Sequence, residues 1–319
     1  MAIEYRLLGR TGVRVSSLCL GCMNFGGRTA EEDAIRIIHA ALDAGINFID
    51  TANVYSRGVS ETITGKALAD GRRQRVILAT KVHGRMGDGP NDWGNHRQHI
   101  FAQVEASLRR LGTDHIDLYQ IHRPQAETPI EETLDALNDL VRQGKVRFIG
   151  SSTFPAWQLV ESYWVSDRRN LARFVCEQPP YHLFDRRIET EVLPACRRFQ
   201  TAVIPWSPLA GGWLTGKYRR GQPLPEVGRH LKALENPDDP GVARRLAAVE
   251  ALLPLAQEMG ATLSQFALAW NLQQPGVTAP IIGPRTLEQL QDNLAATQFQ
   301  LSPELLQRVD GICPKGQSI

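Results

Sequence analysis

From end to end the chain alternates between short apolar segments rich in β-branched residues and longer stretches with apolar residues at helical spacing. No other feature restricts the possible folds as much. Residues 17–20, 47–49, 76–79, 116–121, 148–149, 174–176, 202–205 and 280–282 read as strands. Between them run helical stripes such as Ile35, Ile38 and Leu42, or Ile100, Val104, Leu108 and Leu111 closed by Gly112. Ile130, Leu134, Leu137 and Val141, closed by Gly144, form another, and residues 61–69, 156–164, 189–199, 242–259, 263–273 and 287–296 complete the set. Strands that are apolar throughout belong in a sheet covered on both faces. Eight strand–helix units with right-handed crossovers close into a (β/α)8 TIM barrel. A hairpin around Gly9-Arg10-Thr11-Gly12 precedes the barrel, and a C-terminal helix near residues 302–309 follows it. The alternative, an open doubly wound sheet, calls for a GxGxxG turn after the first strand, and none is present. No break in composition divides the chain, so residues 1–319 read as one barrel domain.

Charge is nearly balanced, with 36 basic against 34 acidic residues, which gives no reason to expect a nucleic-acid or membrane partner. The five cysteines have no disulfide framework and no secretory leader stands before them, so a reducing cytoplasm is the expected setting. Cys19 and Cys22 have CxxC spacing but no second pair, and His96 and His99 lack further ligands. No metal is expected.

Three successive strands deliver a proton-handling or charged group at their C-terminal ends. The run at residues 47–49 leads to Asp50 and then Tyr55, the next ends near Lys81, and the third leads to His122. In a parallel barrel these ends share one face, where active sites are built. Asp50 and Lys81 can satisfy each other's charge. A cationic Lys81 beside the Tyr55 phenol is expected to lower its pKa and make it a general acid usable near neutral pH. His122 can donate a hydrogen bond to a substrate oxygen. An acid and an oxygen-binding donor suit hydride addition to a carbonyl, with the hydride coming from a cofactor. A second use of Lys81 would be as a Schiff-base nucleophile. The stretch Gly211-Gly212-Trp213-Leu214-Thr215-Gly216-Lys217-Tyr218 imitates a P-loop, but Tyr218 stands where Ser or Thr must hold Mg²⁺. Such a loop still contacts phosphate through backbone N–H groups and an ammonium.

These runs resemble the aldo-keto reductase superfamily. The likeness lies in Gly45-Ile-Asn-Phe-Ile-Asp50-Thr-Ala-Asn-Val-Tyr55, Thr80-Lys81, Leu118-Tyr-Gln-Ile-His122-Arg-Pro124, and Gly144 through Ser152. It continues in Trp206-Ser207-Pro208-Leu209-Ala210-Gly211-Gly212 and Ile282-Gly283-Pro284-Arg285. The pattern is most similar to the branch containing bacterial general reductases and the β-subunits of voltage-gated potassium channels. The resemblance implies a tetrad of Asp50, Tyr55, Lys81 and His122, and NADP(H) bound across the barrel mouth without a Rossmann domain. It implies that Ser152, Thr153 and Gln178 hold the carboxamide, that Trp206 stacks on the nicotinamide, and that Cys22 and Met23 lie near its ribose. Ser207, Pro208, Leu209, Ala210, Gly211 and Lys217 would follow the pyrophosphate. Gly283, Arg285, Gln289, Asp292 and Asn293 would take the adenosine end. Two positions depart from many relatives, which carry Tyr in place of Trp206 and Asn in place of Thr153. A hydroxyl cannot both donate and accept as a planar amide does, so carboxamide recognition shifts toward Gln178.

Thr286-x-x-Gln289 reads as a capping box opening the last barrel helix, and Arg285 beside it suits a 2′-phosphate. The expected function is NADPH-dependent reduction of a small-molecule aldehyde or ketone. The alternative is an NADP(H)-binding regulatory subunit with little turnover, but the channel β-subunits carry Asn where this chain has His122. Specificity is expected from loops near residues 85–96, 123–128 and 221–240, with Trp93 and Phe25 walling an apolar pocket.

Overall fold

A computed structural model describes residues 3–226 and 228–319. Strand β1 (Tyr5–Leu7) pairs antiparallel with β2 (Arg14–Ser16), Tyr5 standing opposite Ser16. Eight parallel strands follow: β3 (Cys19–Gly21), β4 (Phe48–Asp50), β5 (Ile77–Val82), β6 (Ile116–Ile121), β7 (Val146–Ser152), β8 (Phe174–Gln178), β9 (Ala202–Val203) and β10 (Ile281–Ile282). Each pairs with the next through β9, and β10 returns to pair with β3. The remaining seam is closed by backbone hydrogen bonds. Thr278 and Ala279 N–H donate to Val203 O at 2.7 and 3.4 Å, and Ile281 N–H donates to Pro205 O at 2.8 Å. The sheet is therefore a (β/α)8 barrel with an N-terminal hairpin.

The helices wrap this ring. They are α1 (Glu31–Asp43), α2 (Val59–Ala67), α3 (Arg97–Leu111), α4 (Ile130–Arg142), α5 (Ala156–Arg169), α6 (Val192–Phe199), α7 (Leu231–Leu234), α8 (Pro240–Glu258), α9 (Leu263–Gln273), α10 (Leu287–Ala295) and α11 (Pro303–Ile312). Strand β7 is longer than residues 148–149. Gly150, Ser151 and Ser152 have weak strand propensity, but Gln120 and Ile121 of β6 pair with Gly150 and Ser151 and extend the ladder. The long loop after β9 is partly ordered, with a tight turn over Ala210–Thr215 and the single-turn α7. Helix α8 begins at Pro240, where a missing N–H costs nothing. Asp239 caps it, accepting from Gly241 N–H at 3.0 Å and Val242 N–H at 3.1 Å.

Two-residue periodicity sorts each strand into inward and outward positions. The inward set nearest the strand starts is apolar: Cys19, Phe48, Ala79, Leu118, Cys176, Ala202, Ile204 and Ala279 form one buried cluster. Leu8 and Val15 of the hairpin, both fully buried, join it and plug the barrel floor. Gly9 allows that approach: a Cβ there would lie 2.5 Å from Val175 O. Outward residues, such as Leu20, Ile49, Leu78, Tyr119 and Ile149, pack instead with the helices. Truncating the plug should open a cavity no neighbour can fill. Leu8→Ala is expected to cost about 2–5 kcal/mol, read as a lower urea midpoint with an unchanged m-value.

Candidate active site

One step of two residues along the strands takes the inward set from apolar to polar. Phe48 is followed by Asp50, Ala79 by Lys81, Leu118 by Gln120, and Cys176 by Gln178. All four polar side chains are buried, and they satisfy one another. Lys81 Nζ donates to Asp50 Oδ2 at 2.5 Å, to Thr51 O at 2.8 Å and to Tyr55 Oη at 3.1 Å. Gln120 and Gln178 Nε2 donate to Asp50 Oδ1 at 3.0 and 2.9 Å, and Gln178 Nε2 also reaches Gln120 Oε1 at 3.2 Å. Burial opposes the Lys81 ammonium, but Asp50 and Tyr55 outweigh it and its pKa is raised. A lysine so held keeps its proton, which removes the free amine a Schiff-base nucleophile needs.

Tyr55 begins a tight turn just past β4, in which Ser56 and Arg57 have φ of 49° and 53°. Its ring stands edge-on to that of His122, with centroids 5.7 Å apart. The expected direction of its pKa is reversed. Burial raises it, Lys81 pulls it down, and Asp50 adds to the rise, so the phenol ends above its ordinary value. Burial outweighs the charge of Lys81, and Tyr55 is a protonated phenol at neutral pH. Burial, with Lys81, Arg123 and His83, takes the pKa of His122 down to about 2. The imidazole is therefore neutral and free to donate one hydrogen bond.

Tyr55 and His122 face a cavity of about 980 Å³, at the upper end of what small-molecule sites occupy. Met23, Asp50, Gln178, Trp206, Ser207, Pro208 and Leu209 line it near them. Gly211, Lys217, Gly283, Arg285, Gln289, Asp292 and Asn293 line its far end. The cavity thus unites most of the residues singled out from sequence. Lys81 stands behind Asp50 and Tyr55. Ser152 is buried with its hydroxyl donating to Gln178 O at 2.8 Å, and Ala210 is buried in the loop. The Cys22 side chain points outward into the helix layer, because it sits one residue beyond the inward Gly21, and burial pushes its thiol up to about 12. Phe25 is fully buried in the same layer, and Trp93 lies against His83 and Arg85. Neither walls the cavity. Gln289 departs from the expected capping box: its Oε1 accepts from Arg285 N–H at 2.9 Å, one residue ahead of the cap. Asp292 is already engaged, accepting from Thr262 Oγ1 and Gln265 Nε2 of α9.

Two features mark the far end of the cavity. The backbone is held in left-handed conformations at Ser207, Ala210, Gly211 and Gly212, with φ of 56°, 50°, 66° and 106°. Such strain in non-glycine residues persists where a site requires it. Arg28, Arg229, Arg285 and Lys217 also line the cavity, and none has an ion-pair partner among the described residues. Partial desolvation, then Arg28 and Arg285, lowers the pKa of Arg229, as a cluster of like charge without a counterion must. Arg28 and Arg229 carry no local signal, since the fold brings them from loops about 200 residues apart in sequence. Gln120 was open to detection: it precedes His122 by two residues and so shares its inward face.

Residues 17–313 match the model of the aldo/keto reductase family. The chain belongs to the aldo/keto reductase family. An uncharacterized oxidoreductase, YrpG of Bacillus subtilis, is 44% identical over 98% of this chain and 96% of its own length. Probable voltage-gated potassium channel β subunits of Oryza sativa and Arabidopsis thaliana are each 38% identical over 97% of this chain and 96% of theirs.

In this aldo/keto reductase Glu177 braces the wall beside Gln178. It faces outward, fully buried, and accepts from Ser151 Oγ at 2.5 Å and Phe154 N–H at 3.1 Å. Thr153 between them has φ of 62°, a conformation that suits Asn better than a β-branched residue. Burial raises the Glu177 pKa to about 8, against the pull of Ser151 and the Phe154 and Thr153 amides. Its folded pKa therefore lies above its unfolded value. The associated stability is complete below the unfolded value and is lost as pH rises through about 8. Glu177→Gln removes this titration. Calorimetry should find its Tm rising relative to wild type between pH 5 and pH 9.

Proposed function

We propose that the protein is an NADPH-dependent reductase of aldehydes and ketones. The observation that carries this reading is one cavity with two chemically distinct ends: a phenol and a neutral imidazole over a buried ion pair, and four cations without counterions. The residues fit the cofactor. Lys217 and the strained backbone of residues 207–212 suit the pyrophosphate, and Arg28, Arg229 and Arg285 suit the 2′-phosphate end. Trp206 offers a ring face beside Asp50 and Gln178 for the nicotinamide, and the Gln178 Oε1 atom remains as an acceptor for the carboxamide. The surplus of arginines supports NADP over NAD.

When bound, NADPH supplies the hydride that the carbonyl carbon accepts. The chain's own residues handle the oxygen. His122 donates a hydrogen bond to it, and Tyr55 Oη passes its proton to it as the C=O π bond opens, leaving an alcohol. The phenolate left behind faces the Lys81 ammonium 3.1 Å away. That charge is wasted on a neutral phenol and takes effect only as the proton departs, which is how a group lowers a barrier without tightening the ground state. Asp50, braced by Gln120 and Gln178, keeps Lys81 in place.

The channel β-subunit relatives favour a second reading, an NADP(H)-binding regulatory subunit with slow turnover. NADPH consumption with an activated aromatic aldehyde separates the two. Turnover by wild type is expected, with Tyr55→Phe losing about 10²–10⁴-fold in kcat while NADPH affinity stays within a few-fold. Undiminished turnover in the variant would remove Tyr55 from the chemistry. Tight NADPH binding by a wild type that reduces no aldehyde would move the protein to the regulatory reading.

A further inference from the structure

One cation stands apart from the phosphate end. Arg123 follows His122 at the end of β6, is exposed, and lines the cavity near Tyr55, His122 and Trp206. Its Nη1 donates to His122 O at 2.9 Å and to Thr153 Oγ1 at 2.7 Å. The guanidinium carbon lies 5.8 Å from the Trp206 ring centroid. These contacts fix the plane of the guanidinium yet use a single nitrogen. Neither Nε nor Nη2 has a hydrogen-bond partner among the described residues, and no carboxylate there forms an ion pair with it. Glu177, whose charged form Arg123 favours, faces away into the wall. The charge of Arg123 is felt at both Tyr55 and His122, so it sits beside the reacting groups, whereas Arg229 answers to Arg28 and Arg285.

A cavity-lining guanidinium held by two contacts, with Nε and Nη2 free along one edge, is organised for a bidentate carboxylate. Holding it costs a substrate little, because the side-chain ordering is already done in the free protein. We propose that Arg123 is a specificity-determining residue that binds the carboxylate of an anionic carbonyl substrate, an oxo acid, while the carbonyl lies at Tyr55 and His122. This rests on the reductase reading of the cavity and narrows it to a substrate class. Thr153 takes a part in it as well: its hydroxyl accepts from the Arg123 Nη1 group.

The test compares glyoxylate and 4-oxobutanoate with their methyl esters, which lose the negative charge and gain one methyl group. In wild type kcat/KM should favour at least one acid over its ester by tenfold or more. Arg123→Met should reduce that acid-to-ester ratio at least tenfold, mainly through KM, and Arg123→Lys should restore part of it. A ratio unchanged in Arg123→Met, even if both activities fall together, means that Arg123 only props Thr153 and Trp206, and overturns the proposal. Preference for both esters in wild type overturns it too. A binding measurement separates this from the reductase reading. With NADP⁺ saturating the phosphate end, the acids are titrated by quenching of tryptophan fluorescence. Affinity should weaken tenfold or more in Arg123→Met. Should neither acid nor ester be reduced, Arg123-dependent binding would leave the anion subsite standing while the reductase reading fails. Binding indifferent to Arg123 would overturn the subsite.

Discussion

The buried ion pair of Lys81 and Asp50 is the interaction on which the site depends. Neither charge is tolerable alone at the centre of a barrel, and removing one partner of such a pair costs about 3–5 kcal/mol. The barrel meets this by continuing its inward periodicity. The positions two residues beyond the apolar floor carry an ammonium, a carboxylate and two carboxamides, and these are hydrogen-bonded to one another. The network is fully connected, so it is rigid. Its one outward-looking bond, from Lys81 to Tyr55, presents a cation to the cavity through a phenol.

That arrangement settles what the electrostatics can do. Burial of Tyr55 outweighs the pull of Lys81, and Asp50 adds to it, so the phenol is held as an acid, ready to give a proton to a strongly basic oxygen and unable to lose one to water near neutrality. His122 is kept neutral by burial and by the same cations. Both groups therefore hold one protonation state across the ordinary pH range. At the other end of the cavity positive charge is left unbalanced and the backbone is strained. A ligand with several negative charges would balance that charge. The two ends work by opposite logic, the one self-neutralised and the other waiting for its counterion.

Much of this was legible in the sequence because strand periodicity and strand ends are local. The barrel followed from alternating strand and helix patterns, and Asp50, Lys81 and His122 stood out as polar groups closing apolar runs. What the sequence does not carry is set by tertiary structure. The direction of the Tyr55 shift is set by its burial, which outweighs the neighbouring Lys81 charge and depends on how the loop folds over the barrel. Strand β7 extends beyond its apolar run because Gly150-Ser151-Ser152 becomes a strand when paired with Gln120 and Ile121. Cys22 looked like a cavity residue until its one-residue offset from Gly21 turned it outward. Thr153, read as a poor substitute for an amide, is in the structure a strained β-branched residue held between Glu177 and Arg123. Arg28 and Arg229 meet only once the barrel closes.

In the proposed reaction, hydrogen passes directly from the cofactor to a carbonyl carbon in this cavity. This transfer is tested most directly with NADPH deuterated at C4 of the nicotinamide, one stereoisomer at a time. The product alcohol is then examined by mass spectrometry. Deuterium should appear on the carbinol carbon from one stereoisomer alone, and none should reach that carbon from D₂O. A carbinol hydrogen drawn from solvent, or label delivered by neither stereoisomer, would contradict the account.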